Sequence, residues 1–349
     1  MKKKSDEFSL LIDDMISKVN IEKNEAGKRN IVDIITFCED PKYLNLLGQD
    51  PPFSLWPMQK IVLKLIYRGT EGNEQLQLTD DEIEVLKDIA RSEDLDYSPE
   101  YGGFEAVIDK YKRWTPFTII LLVMGRRSSK TAIVSIIATY EAYKLLECPD
   151  GNPQKYYNIT QGKPIFIMNL AVSEKQALTP LFAEIEARLT RAPYFADKMT
   201  PDGCKVGEIS LLSANDKRIN AERKAKGITI METGSVILRS GHSNSASLRG
   251  LACIVVLFDE FAHFISSSGK SSGEECVVAL EPSLKQFGNH SKMVMLSDPR
   301  GRDGPFWKYF QLAQERKEIG KKQNGDPEYD YPHDHILALD QVLVLHLTL

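Results

Sequence analysis

The spacing of apolar positions along this chain changes character near residue 117. Before it, residues 1–50 read mostly as helix, with Phe8, Leu11, Ile12, Met15, Ile16 and Val19 forming an apolar stripe at helical spacing. Gln49-Asp50-Pro51-Pro52 breaks the chain, and Pro57–Tyr67 resumes helix. Residues 68–115 are acidic and turn-rich, with a helix near Asp80–Ala90, and read as an insertion or lid ahead of the first core strand.

From Phe117 onward, short apolar runs alternate with helical patterns. Phe117–Val123 is a nearly continuous apolar strand, followed by an amphipathic helix over Ala132–Leu146. Pro164–Leu170 is a second strand, after which Ser173 caps a helix and Gln176 completes a capping box. Ile228–Met231 and Val236–Leu238 flank Glu232-Thr233-Gly234-Ser235 and predict a hairpin. Cys253–Phe258 and Met293–Leu296 are further buried strands. Strands separated by helical crossovers predict an α/β fold with a mostly parallel sheet flanked by helices on both faces. Such sheets bind ligands at the carboxyl ends of their strands.

Composition narrows the picture. With 349 residues, 42% of them hydrophobic and 27% charged, the chain can bury a sizeable core as one large domain or two small ones. A net charge of −5 offers no global basic excess, so any nucleic-acid contact must use local patches. Five cysteines, Cys38, Cys148, Cys204, Cys253 and Cys276, are scattered without zinc spacing, which suggests reduced thiols in a cytoplasm-like compartment. The Met1-Lys-Lys-Lys-Ser start runs into charged helical sequence, so no signal peptide is expected. No apolar run approaches the ~20 residues that span a bilayer.

The candidate chemistry begins at the end of the first strand. Met124–Thr131 reads M-G-R-R-S-S-K-T, a turn with a basic tip and a Lys-Thr pair opening a helix. Such a turn holds a nucleoside triphosphate: backbone N–H groups and the helix N-terminus face the phosphates, Lys130 meets the β/γ oxygens, and Thr131 ligates Mg²⁺. The usual pattern has Gly where Met124 and Ser129 stand, and Ser reaches positive φ less cheaply than Gly. Read alone, the segment is equally compatible with an ordinary strand-to-helix turn.

Asp259-Glu260 follows the strand C-I-V-V-L-F, where Asp259 can hold Mg²⁺ with Thr131 and Glu260 can deprotonate an attacking water, a reading favoured over a plain acidic N-cap for the next helix. Ser297, at the end of M-V-M-L, can sense the γ-phosphate, although Ser297-Asp298-Pro299-Arg300-Gly301 is also a plain turn sequence. Arg249 in Leu248-Arg249-Gly250 is either an arginine finger or a surface residue. Gln59 in Leu55-Trp56-Pro57-Met58-Gln59 can pair with adenine or simply belong to a helix start. Lys217, Arg218, Arg223, Lys224 and Lys226 form a basic cluster read as a loop, suited to phosphate-backbone contact or to a solvated face. Six histidines show no convincing metal spacing, and His333-Asp334-His335 reads as a polar turn.

Taken in order, these pieces resemble the ATPase domain of the large terminase subunit of tailed bacteriophages, over roughly residues 50–312. G-R-R-S-S-K-T at Gly125–Thr131 is similar to that family's Walker A variant, with Arg126 at its arginine position and Ser129 in place of the usual Gly. L-W-P-M-Q looks like the adenine motif, A-V-S-E-K-Q-A resembles the segment after the second strand, S-A-S-L-R-G the approach to the Walker B pair, and L-S-D-P-R-G-R-D-G-P-F-W-K-Y-F the coupling motif, with Asp298 where a small hydroxyl residue is more usual.

The resemblance implies a P-loop NTPase of the ASCE/RecA-like kind: an N-terminal helical segment over 1–50, the ATPase domain over 51–312 and a tail over 313–349. It implies ATP and Mg²⁺ as cofactors. Gln59, Gly125, Arg126, Arg127, Ser128, Ser129, Lys130, Thr131 and Ser297 would bind nucleotide, and Thr131 and Asp259 the metal. Glu260, Lys130, Arg126 and Arg249 would be catalytic, Arg249 toward a neighbouring subunit. Implied partners are double-stranded DNA, a portal protein and a small terminase subunit, in a homo-oligomeric ring when docked and as a monomer in isolation, in the host cytoplasm and without a membrane. The family's nuclease half does not fit into residues 301–349, so no nuclease activity is expected. Two alternatives remain: a catalytically weak docking module for DNA or a portal, and a helicase-like DNA-dependent ATPase.

Overall fold

Alternate residues of the apolar strands turn to opposite faces of one sheet. In the computed structural model, which describes residues 29–92, 117–125, 129–173, 180–228, 234–242, 248–264, 272–298, 303–314, 317–321, 327–330 and 336–338, the elements run in chain order as follows. Helices α1 (Ile34–Glu39), α2 (Pro57–Tyr67) and α3 (Asp80–Ser92) precede strand β1 (Ile119–Val123) and helix α4 (Lys130–Leu146). The short α5 (Pro153–Tyr156), β2 (Ile165–Ala171), α6 (Leu181–Arg191), β3 (Met199–Lys205), β4 (Glu208–Leu211) and α7 (Ala214–Ala225) follow. Then come β5 (Val236–His242), β6 (Ala252–Asp259), α8 (Ser272–Phe287), β7 (Lys292–Ser297), α9 (Gly304–Gln314), β8 (Lys317–Lys321), β9 (Pro327–Asp330) and β10 (Ile336–Ala338).

Eight strands form one sheet in the order β10-β1-β7-β6-β2-β5-β4-β3, parallel except where β4 pairs antiparallel with β5 and β3. The α/β prediction is therefore met. The strand carrying Ser297 lies between the strand leading to the Lys130 loop and the strand ending in Asp259, the additional-strand order of the RecA-like branch.

The period-two alternation splits the core. Ile120, Leu122, Ile167, Leu257 and Leu296 pack on the face covered by α1, α2, α4 and α6. Leu121, Val123, Met168, Phe258 and Met295 pack on the other face with α8 and Phe306 of α9. Helix α4, predicted to be amphipathic, is instead buried on all sides from Ile133 to Leu146. The N-terminal segments cover its outer face, so its polar residues need internal partners. Ser135 accepts from Arg188 Nε at 2.6 Å. Glu141 accepts from the Tyr67 hydroxyl at 2.9 Å and pairs with Lys144 at 2.8 Å.

Residues 68–92 are tied into the same face. Arg29 is buried and donates to Glu71 through Nε at 2.8 Å and Nη2 at 2.6 Å, while Asn73 bridges the Ile34 N–H at 2.9 Å and the Tyr140 hydroxyl at 2.8 Å. His290 Nδ1 lies 3.0 Å from Arg29 Nη2, and burial followed by the Arg29 charge pulls the imidazole down to about 4, leaving it neutral to accept. Gly234 enters β5 so close to Leu211 that an added Cβ would lie 2.0 Å from its carbonyl oxygen, so no larger residue fits there.

The basic cluster read as a loop is helical. Lys217, Arg218, Arg223 and Lys224 lie on α7 and Lys226 caps it. The Ser213–Asp216 capping box sets its start, and Gly227 at φ 69° ends it. The helix has no apolar face, so hydrophobic periodicity could not announce it. The Phe8–Val19 stripe, the Ser173–Gln176 capping box and His333-Asp334-His335 fall largely or wholly outside the described residues, while Val236–Leu238, expected to form a hairpin with Ile228–Met231, instead pairs with β2 on one edge and β4 on the other. All five cysteines are free, and among the described residues no helix is long and apolar enough to cross a membrane.

Candidate active site

Strand register brings three chain segments to one place. Val123 pairs with Ser297, and Leu296 with Asp259, so β1, β7 and β6 end side by side. The Met124 N–H donates to the Ser297 carbonyl at 3.0 Å, which fixes the start of the loop against β7.

Ser129 precedes α4 at φ 62° and ψ 21°, in the left-handed region where Gly is usual. The expected departure at this position is thus a Ser holding a glycine-like conformation, at a cost of about 1–2 kcal/mol. Its side chain makes no cap, and no acidic residue occupies the first turn. Among the described residues, a helix of 17 residues therefore begins without a side-chain cap and with a Lys at its positive end. Both features favour an anion outside the protein at this point.

Lys130 Nζ donates to Glu260 Oε1 at 2.5 Å. Glu260 also stands in the left-handed region, at φ 55° and ψ 49°, which turns its carboxylate back toward the loop. Its Oε2 accepts from Ser297 Oγ at 3.3 Å, and Ser297 is fully buried. Asp259 is buried beside them. Burial first, and the Glu260 charge second, push its carboxyl up to about 6 against the pull of Lys130. Thr131 follows Lys130 on α4, half-buried, and Gly125 is buried at the end of β1. The hydroxyl and carboxylate oxygens of Thr131 and Asp259 are hard donors of the kind Mg²⁺ takes, and the uncapped amides with Lys130 suit polyphosphate.

The other predicted residues are placed differently. Arg126, Arg127 and Ser128 lie outside the described residues. Gln59 is buried, and its Oε1 accepts the Trp56 N–H at 2.9 Å, capping α2. Its segment nevertheless flanks α4: Phe53 packs 5.0 Å from the Arg188 guanidinium, which holds Ser135. Arg249 is exposed on the turn entering β6, while Asp259 ends that strand, with about 20 Å of strand between Ala252 and Asp259.

Sequence reasoning did not join His263 and Asp298 to the site. His263 Nε2 lies 3.6 Å from Asp298 Oδ1, and ligand atoms of Glu260, His263 and Asp298 lie within 4.8 Å of one another. The two follow adjacent strand ends, so recognising β6 and β7 as neighbours was the signal that would have found them.

The family described as "Uncharacterized protein MJ0330, N-terminal P-loop domain" matches residues 8–328. No curated protein matches the chain. Among solved structures, the crystal structure of the HK97 bacteriophage large terminase is similar, with a TM-score of 0.42 and 15% identity over 80% of this chain and 40% of that one. The chain thus spans about two fifths of the length of that solved protein.

Proposed function

We propose that this chain, which belongs to the MJ0330 N-terminal P-loop domain family, is an ATP-hydrolysing motor domain that acts on double-stranded DNA. The observation that carries the reading is the clasp of Lys130 by Glu260 at the uncapped start of α4, with Ser297 on the second carboxylate oxygen.

In this reading the α4 amides and Lys130 hold the phosphates, with Gly125, Arg126, Arg127, Ser128 and Ser129 shaping the loop. Nucleotide entry releases Lys130 from Glu260. The freed carboxylate then accepts a proton from the attacking water as the terminal phosphoryl group leaves ADP. Thr131 and Asp259 would hold Mg²⁺, which would offset phosphate charge. Ser297 reports the state of Glu260 along β7. The segment of Gln59, whose own side chain caps α2, flanks the adenine, Arg126 meets the γ-phosphate of its own chain, and Arg249, far along β6, serves a neighbouring subunit.

By the motif resemblance, the motor works as a ring on a portal, with a small subunit delivering DNA into a procapsid. A docking module without turnover is the contrasting reading. Phosphate release from ATP separates the two: Lys130→Ala and Glu260→Gln should each abolish it, and turnover that survives both substitutions excludes the motor.

A further inference from the structure

Helix α7 buries a single residue, Asn215, and every residue from 221 to 228 is exposed. A helix that is polar all round gains nothing from the core. Its own ion pairs are few: Lys217 meets Asp197 at 2.7 Å, and Arg218 lies 3.8 Å from Glu222. Among the described residues, no carboxylate pairs with Arg223, Lys224 or Lys226. Residues 214–228 carry five cations against two carboxylates in a chain whose net charge is −5.

The position in the fold is equally specific. Leu211 at the end of β4 pairs with Val236 at the start of β5. Helix α7 therefore leaves from the end of the sheet opposite Lys130 and Glu260. Arg223, Lys224 and Lys226 fall within about one helical turn, ~5 Å along the axis, so the three cations meet one short stretch of a DNA strand.

We infer that α7 is a phosphate-backbone contact for duplex DNA, with Arg223, Lys224 and Lys226 as its cations and no reading of base sequence. The inference rests on the DNA-motor reading and adds to it the surface that grips the substrate. Contacts of this kind are sequence-independent and release counterions, so each steepens the fall of log affinity with log salt by about 0.9.

The test is binding of a labelled duplex of arbitrary sequence across a salt series, beside ATP turnover with and without that duplex. The triple variant Arg223→Gln, Lys224→Gln, Lys226→Gln keeps good helix formers. It is expected to reduce the slope by roughly 2–3 and to weaken stimulation by DNA, with turnover in the absence of DNA unchanged. A control triple, Lys42→Gln, Lys163→Gln, Lys285→Gln, removes the same charge elsewhere and should leave the slope alone. A triple variant with the wild-type slope overturns the inference while the motor reading stands. A wild-type chain that hydrolyses ATP but neither binds the duplex nor responds to it overturns both.

Discussion

Lys130 Nζ and Glu260 Oε1 stand 2.5 Å apart, although 130 residues separate them in sequence. The cation proposed to hold phosphates and the carboxylate proposed to activate water occupy each other. The nucleotide must compete with Glu260 for Lys130. Glu260→Gln removes the competing charge, so ATP binding should tighten roughly 3- to 10-fold while hydrolysis is lost. Titration with a fluorescent ATP analogue checks this; weaker binding in the variant contradicts it.

Ser129 carries the backbone conformation of a glycine. Ser129→Gly exchanges left-handed strain for greater chain entropy and should stabilise the fold by about 0–1 kcal/mol. A β-branched residue is worse suited, and Ser129→Val should cost about 1–2 kcal/mol and weaken nucleotide binding. Urea unfolding of both variants is the check, and a Val variant as stable as wild type would contradict the geometry.

Ser297 holds Glu260 by one hydrogen bond at 3.3 Å. Ser297→Ala should lower the rate of ATP turnover by about 2- to 10-fold, with nucleotide affinity nearly unchanged. A change confined to affinity would place Ser297 on the nucleotide rather than on the carboxylate.

Much of this site could be read from the chain because its elements carry strong local signals. The apolar run into Gly125 and the run into Asp259-Glu260 mark two strand ends without any structure. The Ser297 strand was visible too, but not its insertion between the other two, since sheet order leaves no trace in a single strand. That insertion lets Ser297 reach Glu260 and brings Asp298 to His263. The all-round burial of α4 was illegible for another reason: its cover comes from Phe37, Tyr67 and their neighbours, remote in sequence. Helix α7 was missed because periodicity detects buried faces, and it has none; only its Ser213–Asp216 capping box marked it.

Lys292 supplies a pH-dependent test of the buried network. Its Nζ donates to the Phe117 carbonyl at 3.2 Å and lies 5.1 Å from the Tyr67 ring. Burial, the largest effect, pulls it from 10.5 down to about 8, with Lys144 adding to the shift and Glu141 opposing it. The folded value is below the unfolded one, so between about pH 8 and 10 the unfolded chain binds more protons. This group's contribution to stability therefore rises with pH across that window, by at most ~1.4 kcal/mol per unit. The unfolding free energy of wild type minus that of Lys292→Met should climb from pH 8 to 10. A flat difference contradicts the buried charge.

The central claim, that this chain converts ATP hydrolysis into action on DNA, is tested most directly by Mg²⁺-dependent ATP turnover with and without double-stranded DNA, beside Glu260→Gln. The account predicts turnover that DNA stimulates and Glu260→Gln abolishes in both conditions. Turnover that persists in Glu260→Gln, or that is indifferent to DNA, would contradict it.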